Sequence, residues 1–157
     1  MTRAVLMSAT AALAFVTSGA VLAQSESDEP PAVEARHHHM NLYAYNLGIL
    51  GGMAKGETDY DADMATGAAA NIAALSQLNQ ASYWVEGTSS EDVEASKALP
   101  ALFENPDDYA ALTDDLTEAA MAMQAAAGES AEAIGGQMQA LGGACGACHR
   151  KYRERDD

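Results

Sequence analysis

The chain has 157 residues, with 23 acidic side chains against 8 basic ones and a formal charge of -15. That surplus excludes nucleic acid as a partner, because neutralising phosphates needs a basic surface. An acidic surface of this size keeps a one-domain protein soluble and allows docking to a basic partner.

The opening stretch, MTRAVLMSATAALAFVTSGAVLAQ, is predicted to be a signal peptide over residues 1–23. Arg3 supplies the positive start, Ala4 to Val16 the apolar centre, and Val21-Leu22-Ala23 the small-residue cleavage site before Gln24. Ser8, Thr10, Thr17 and Ser18 interrupt the run, which falls short of the about 20 apolar residues of a membrane span. The expectation is export to the periplasm and no membrane span in the mature chain. Removing Arg3 leaves 8 - 1 = 7 bases against 23 acids, a charge of -16. Residues 24–32, QSESDEPPA, are acidic with paired prolines and predict a flexible lead-in. Residues 33–157 remain for the folded domain.

Met40, Ala44, Leu47, Gly51 and Ala54 recur at three- and four-residue spacing and predict one face of a first helix. GETDYDAD interrupts with turn and capping residues. Met64, Ala68, Ile72, Leu75 and Leu78 predict a second helix. From Tyr83 to Asn105 the period is lost, which predicts a long irregular crossover with one short helical turn. Asn105-Pro106 opens a third helix, with asparagine as N-cap and proline at the first helical position. Its stripe is Tyr109, Leu112, Leu116, Ala119, Met123 and Ala126, and Gly128 ends it. Ser130 caps a fourth helix with the stripe Ile134, Met138, Leu141, Cys145, Cys148 and Tyr152. No segment alternates with the period of two expected of a strand. The fold class is therefore all-α, an antiparallel four-helix bundle with one longer crossover between helices two and three.

Both cysteines fall in Cys145-Gly146-Ala147-Cys148-His149, the spacing of a c-type haem attachment. On a helix Cys145 and Cys148 are i and i+3, so both sulfurs face one way and can hold the two vinyl edges of one porphyrin. His149 follows at once and can turn its imidazole to the iron. Gly142, Gly143, Ala144, Gly146 and Ala147 form a small surface that suggests close access for a flat group. Three alternatives compete. A disulfide at i,i+3 closes a tiny loop and stabilises little. A thioredoxin-like site needs strands. A zinc site completed by His37, His38 or His39 conflicts with their consecutive spacing. Haem attachment ranks ahead of these because export, motif and helix face agree. Consecutive histidines point about 100° apart on a helix, so the three cannot share a ligand. At least two of them are expected to be solvated. Met40 is either a core methionine or the residue on the far side of the iron.

Taken together, Arg36-x-x-x-Met40, GGMAKGETDYDAD, the crossover YWVEGT and the terminal CGACHRKYR resemble the cytochrome c-prime family and its low-spin relatives, the cytochromes c556. The resemblance implies one covalent haem c, with Cys145 and Cys148 as thioether attachments and His149 as axial ligand. It implies Arg153 near the proximal haem face, Arg36 near a propionate, and Met40 at the distal position, as sixth ligand or as a non-bonding neighbour. His37 stands where glutamine is frequent. Pro100-Ala101-Leu102-Phe103 replaces the frequent P-E-I-W of the crossover. His39 adds a second candidate ligand beside Met40. The function implied is electron transfer through the haem iron with transient redox partner proteins, and no enzymatic constellation is visible. The alternative is a five-coordinate cytochrome that binds NO or CO. The resemblance also implies a homodimer through the first two helices, where Ala73, Ala74, Gly48, Gly51 and Gly52 permit close contact.

Overall fold

The computed structural model describes residues 29–155, so the expected signal peptide lies outside the described residues. The elements in order are α1 (Pro31–Ala54), α2 (Ala62–Ser76), a 3-10 turn (Ala81–Tyr83), α3 (Pro100–Glu104), α4 (Pro106–Ala126) and α5 (Ala131–Tyr152). The four long helices form the bundle, and α3 is the short helical turn inside the crossover. α1 packs on α2 and α5, and α4 packs on the same two helices. Tyr60, just before α2, donates to the Ala127 carbonyl after α4, while Gln80 beyond α2 accepts from Tyr109 near the start of α4. Those two bonds make α2 and α4 antiparallel.

Local chemistry sets the helix boundaries. Pro31 occupies the first turn of α1, where a missing N–H costs nothing, so the helix starts two residues before the predicted boundary. Gly56 ends it with φ +70, and its N–H and that of Glu57 bond back to Met53 and Gly52. Asp61 caps α2 by accepting from the Met64 amide at 2.9 Å. Ser130 caps α5 through the Ala133 amide at 3.2 Å, as predicted. Asn105 does precede α4, but its side chain does not cap it. The amide donates backward to the Ala101 carbonyl at 2.7 Å.

The α5 stripe is as predicted: Ile134, Leu141 and Tyr152 are buried, and Met138, Cys145 and Cys148 half-buried. The α1 stripe is not. Its buried residues are Val33, Arg36, His39, Tyr43, Asn46, Leu50, Gly51 and Met53, whereas Met40 and Ala44 are exposed. The buried polar groups hide this face from a reading of apolar periodicity. Asn46 is satisfied there, donating to the Leu42 carbonyl and accepting from Asn71. In α2 burial shifts to Ala65, Ala68, Ala69, Ile72 and Ala73, while Met64 and Leu78 are about half exposed at 54% and 50%. Of the small residues expected to permit contact between copies, Ala73 and Gly51 are used within the bundle. Leu50, Ile72, Met123, Ile134 and Leu141 anchor the core, each contributing about 1.5–3 kcal/mol on full burial.

The crossover is irregular but firmly held. The Thr88 carbonyl accepts from Ser96 at 2.8 Å and from Arg36 at 2.9 Å. Further on, Leu99 N–H donates to the Tyr152 carbonyl and Glu154 N–H to the Lys97 carbonyl, with a single bridge between Ala98 and Arg153. This clasp brings the crossover against the last turn of α5, beside the terminal motif. No helix among the described residues is long and apolar enough to cross a membrane.

Candidate functional site

Cys145, Cys148 and His149 lie within α5, whose helical run continues to Tyr152. The i,i+3 spacing sets both sulfurs on the side that faces α1 and α4. Both thiols are free, and burial raises their pKa values, so they remain neutral. His149 is exposed as a residue, yet desolvation first and the Arg153 charge second lower its pKa. The neutral imidazole is the form that binds a metal.

Two adjoining cavities meet at this motif. The larger, about 420 Å³, runs from Cys148, His149, Tyr152 and Arg153 on α5 to Val33, Arg36, His37 and Met40 on α1, with Trp84, Lys97 and Leu102 closing the crossover side. The smaller, about 170 Å³, is lined by Met40, Tyr43, Ala44 and Leu47 on α1, Leu112 and Leu116 on α4, and Cys145, Cys148 and His149 on α5. Met40, Tyr109, Cys148 and His149 line both. Met40, Ala44 and Leu47 of the stripe that the sequence marks on α1 therefore line a cavity, whereas Gly51 is buried and Ala54 packs against the protein core. The larger cavity alone falls within the about 300–1,000 Å³ of ligand sites.

The charge of the larger cavity reverses that of the chain. Arg36, Lys97 and Arg153 line it and no carboxylate does, although acids outnumber bases by 23 to 8. Arg36 is 5% exposed. It donates to Thr88 through Nη2 and lies over the Trp84 ring at 5.1 Å and the Phe103 ring at 5.9 Å. Its Nη1 is buried with no partner among the described residues. Burial lowers its pKa and Glu29 opposes the shift, but a guanidinium stays charged. A buried donor without an acceptor costs about 1–3 kcal/mol, more when charged. An acidic group entering this cavity would remove that cost. An apolar cavity with cationic walls, Cys148 and a neutral imidazole at its edge, joined to a second cavity that Cys145 lines, fits a haem, whose ring is apolar and whose propionates are acidic.

The three histidines separate as their angles require. His37 lies at the cavity rim, with Nδ1 2.7 Å from Glu29. His38 is exposed. His39 is buried at 3% exposure, against Tyr43 at 4.9 Å and Tyr83 at 5.6 Å between ring centroids. His38 and the 40%-exposed side chain of His37 are the two solvated histidines expected, and His39 is the buried one. His39 lines neither cavity that Met40 lines. That removes it as a competing ligand, because the roughly 100° step between neighbours turns it away from the face of Met40 and toward Tyr83 of the 3-10 turn. Gly142, Gly143 and Gly146 also line neither cavity. A Cβ on Gly142 or Gly143 would meet no protein atom within 4 Å. Among the described residues no three His, Cys, Asp or Glu side chains converge to hold a metal ion, which leaves the zinc alternative without a ligand set.

Three site residues escape a reading of the sequence alone. Lys97 and Trp84 sit in the irregular crossover, where no period marks them, and the clasp of Lys97 and Ala98 with the end of α5 is long-range. Tyr43 belongs to the mixed polar face of α1. Its hydroxyl is buried without a partner among the described residues, and burial raises its pKa.

The sequence profile of the Cytochrome C' family matches residues 31–153. Cytochrome c-554 from Cereibacter sphaeroides is 48% identical over 124 residues, covering 79% of this chain and 93% of the relative. The crystal structure of cytochrome c' from Thermochromatium tepidum has a TM-score of 0.70 at 34% identity, covering 82% of this chain and all of that one. A cytochrome c' described as having a ligand-controlled dimer dissociation has a TM-score of 0.70 at 27% identity, covering 79% of this chain and 95% of that one. The helical bundle, the Cys145/Cys148 spacing and these matches agree: the chain belongs to the cytochrome c' family, and its cofactor is a covalently attached haem c.

Proposed function

We propose that this protein is a periplasmic electron carrier, exported by residues 1–23 and folded from residue 33 onward, in which the iron is held between α5 and α1. Cys145 and Cys148 attach the haem edge, and His149 is the ligand from α5. Met40 is the ligand from α1. Arg36 and Arg153, joined by Lys97, hold the acidic propionates. The haem supplies a one-electron couple when bound. The protein's own residues orient it, neutralise its carboxylates and limit water around it. The observation that carries this reading is the position of Met40, which lines both cavities together with His149 from the facing helix. A methionine and a histidine on one iron give a raised potential.

An optical series on protein matured in a periplasm tests the reading: oxidised, dithionite-reduced, and reduced with CO. Sharp reduced α and β bands that ignore CO are expected. A broad reduced spectrum that shifts with CO would instead mean an open sixth position and a protein that binds NO or CO. No haem bands would refute both.

The partners follow from the surface. Redox partners dock transiently. A homodimer through α1 and α2 is supported by the exposed Leu42, Tyr45 and Met64, at 51%, 70% and 54% exposure. Such side chains on neighbouring helices suit contact with a second copy. Sedimentation equilibrium of the wild type against Tyr45→Asp checks this, and a wild-type monomer at all concentrations would refute it.

A further inference from the structure

The smaller cavity contains three hydroxyl-bearing side chains, and only one lacks an acceptor. The Tyr109 hydroxyl donates to Gln80 at 2.9 Å, and the Thr113 hydroxyl donates to the Tyr109 carbonyl at 2.9 Å. The Tyr43 hydroxyl is buried with no partner among the described residues, and the residue is only 6% exposed. Tyr43 lines this cavity together with Met40, three residues before it on α1, and with Cys145 and His149 across the gap. Residues three apart on a helix are neighbours on one face, and long helical side chains lean toward the N-terminal turn, here the turn that carries Met40. The ring of Tyr43 stands edge-on to His39 at 4.9 Å.

We propose that Tyr43 is a positioning residue for the sixth ligand: its hydroxyl donates a hydrogen bond to the Met40 thioether when that sulfur is bound to the haem iron. This rests on the reading of Met40 as ligand. Thioether sulfur is a weak acceptor, and the Tyr43 hydroxyl makes no other hydrogen bond among the described residues. The bond draws electron density from the sulfur lone pairs, which makes it a poorer donor to ferric iron. It therefore favours the ferrous state and fixes the methionine side chain in its liganding rotamer.

The test is a redox titration of wild-type and Tyr43→Phe holoprotein, with the CO response of each recorded. Removing the hydroxyl alone should lower the potential while the spectrum stays low-spin. At the wild-type midpoint the ferric-to-ferrous ratio should rise about threefold, roughly 28 mV at 59 mV per tenfold for one electron. A low-spin, CO-insensitive wild type whose potential is unmoved in Tyr43→Phe overturns the proposal and leaves the Met40 reading standing. A change confined to thermal stability overturns it in the same way, because it assigns the hydroxyl a packing role beside His39. A wild type that is high-spin and binds CO overturns both.

Discussion

At one end of the bundle the helices meet through Leu50, Met53, Ala65, Ala69, Ala120, Met123, Ala127 and Ile134, all buried and apolar. At the other end the same four helices bury Arg36, His39 and Tyr43, leave polar atoms of all three without partners among the described residues, and enclose two cavities. The first end is complete as protein. There alanines let helices approach closely, and Gly128 brings the turn after α4 so near α2 that a Cβ would lie 3.0 Å from the Thr66 hydroxyl. The second end is complete only with haem c, because the unpartnered Nη1 of its buried guanidinium and its apolar walls match the two halves of that cofactor. One chain thus separates a stability end from a ligand end along the same helices.

The strongest way to break this contrast is to act on the attachment. The double variant Cys145→Ala, Cys148→Ala should lose all covalent haem, so that acid-acetone extracts whatever chromophore remains. Haem that stays with the protein after extraction would refute the assignment. The converse change belongs at the dry end. Ile134→Ala should destabilise by about 2–5 kcal/mol through lost burial and a residual cavity, while the optical spectrum stays that of the wild type. Denaturant unfolding of the holoprotein measures the first, and a spectrum altered as much as the stability would blur the division.

A smaller effect tests a second clasp beside the site, between α4 and the end of α5. Asp108 at the start of α4 accepts from the Tyr152 hydroxyl at 2.6 Å and pairs with Lys151 at 2.8 Å. Those two bonds, that to Lys151 first, hold the Asp108 pKa below the ordinary aspartate value. A carboxylate depressed in the folded state contributes stability that is fully present above its unfolded pKa, about 3.9. That stability is lost as pH falls through the lower folded value. Asp108→Asn should therefore flatten the acid limb of the melting curve and leave the limb above pH 6 parallel to the wild type. An unchanged acid limb would show that the clasp does not depend on the charge.

The contrast also explains how much of this could be read beforehand. The α5 stripe from Ile134 to Tyr152 was legible because one face of that helix is apolar throughout and the cysteines continue it. The Ser130 cap and the Pro106 start were legible because capping is local. On α1 the apolar residues Met40, Ala44 and Leu47 were visible as a stripe, but periodicity cannot tell a face covered by protein from one covered by a cofactor. The polar core face of Arg36, His39 and Asn46 was hidden for the opposite reason, since each is buried against a specific partner rather than by its own hydrophobicity. In α2 alanine carries so little hydrophobic signal that Met64 and Leu78 dominated the reading, although both lie outside. Lys97 and Trp84 depended on a crossover whose contacts with α1 and α5 are long-range.

The central claim is that Met40 and His149 face each other across one iron. The most direct measurement is the ferric and ferrous spectrum, with electron paramagnetic resonance of the ferric form, of Met40→Ala beside the wild type. The account predicts a low-spin wild type and a high-spin variant that gains CO binding in the ferrous state, with the covalent haem retained. A Met40→Ala protein whose iron keeps the wild-type spin state would contradict it and return Met40 to the role of a non-bonding neighbour.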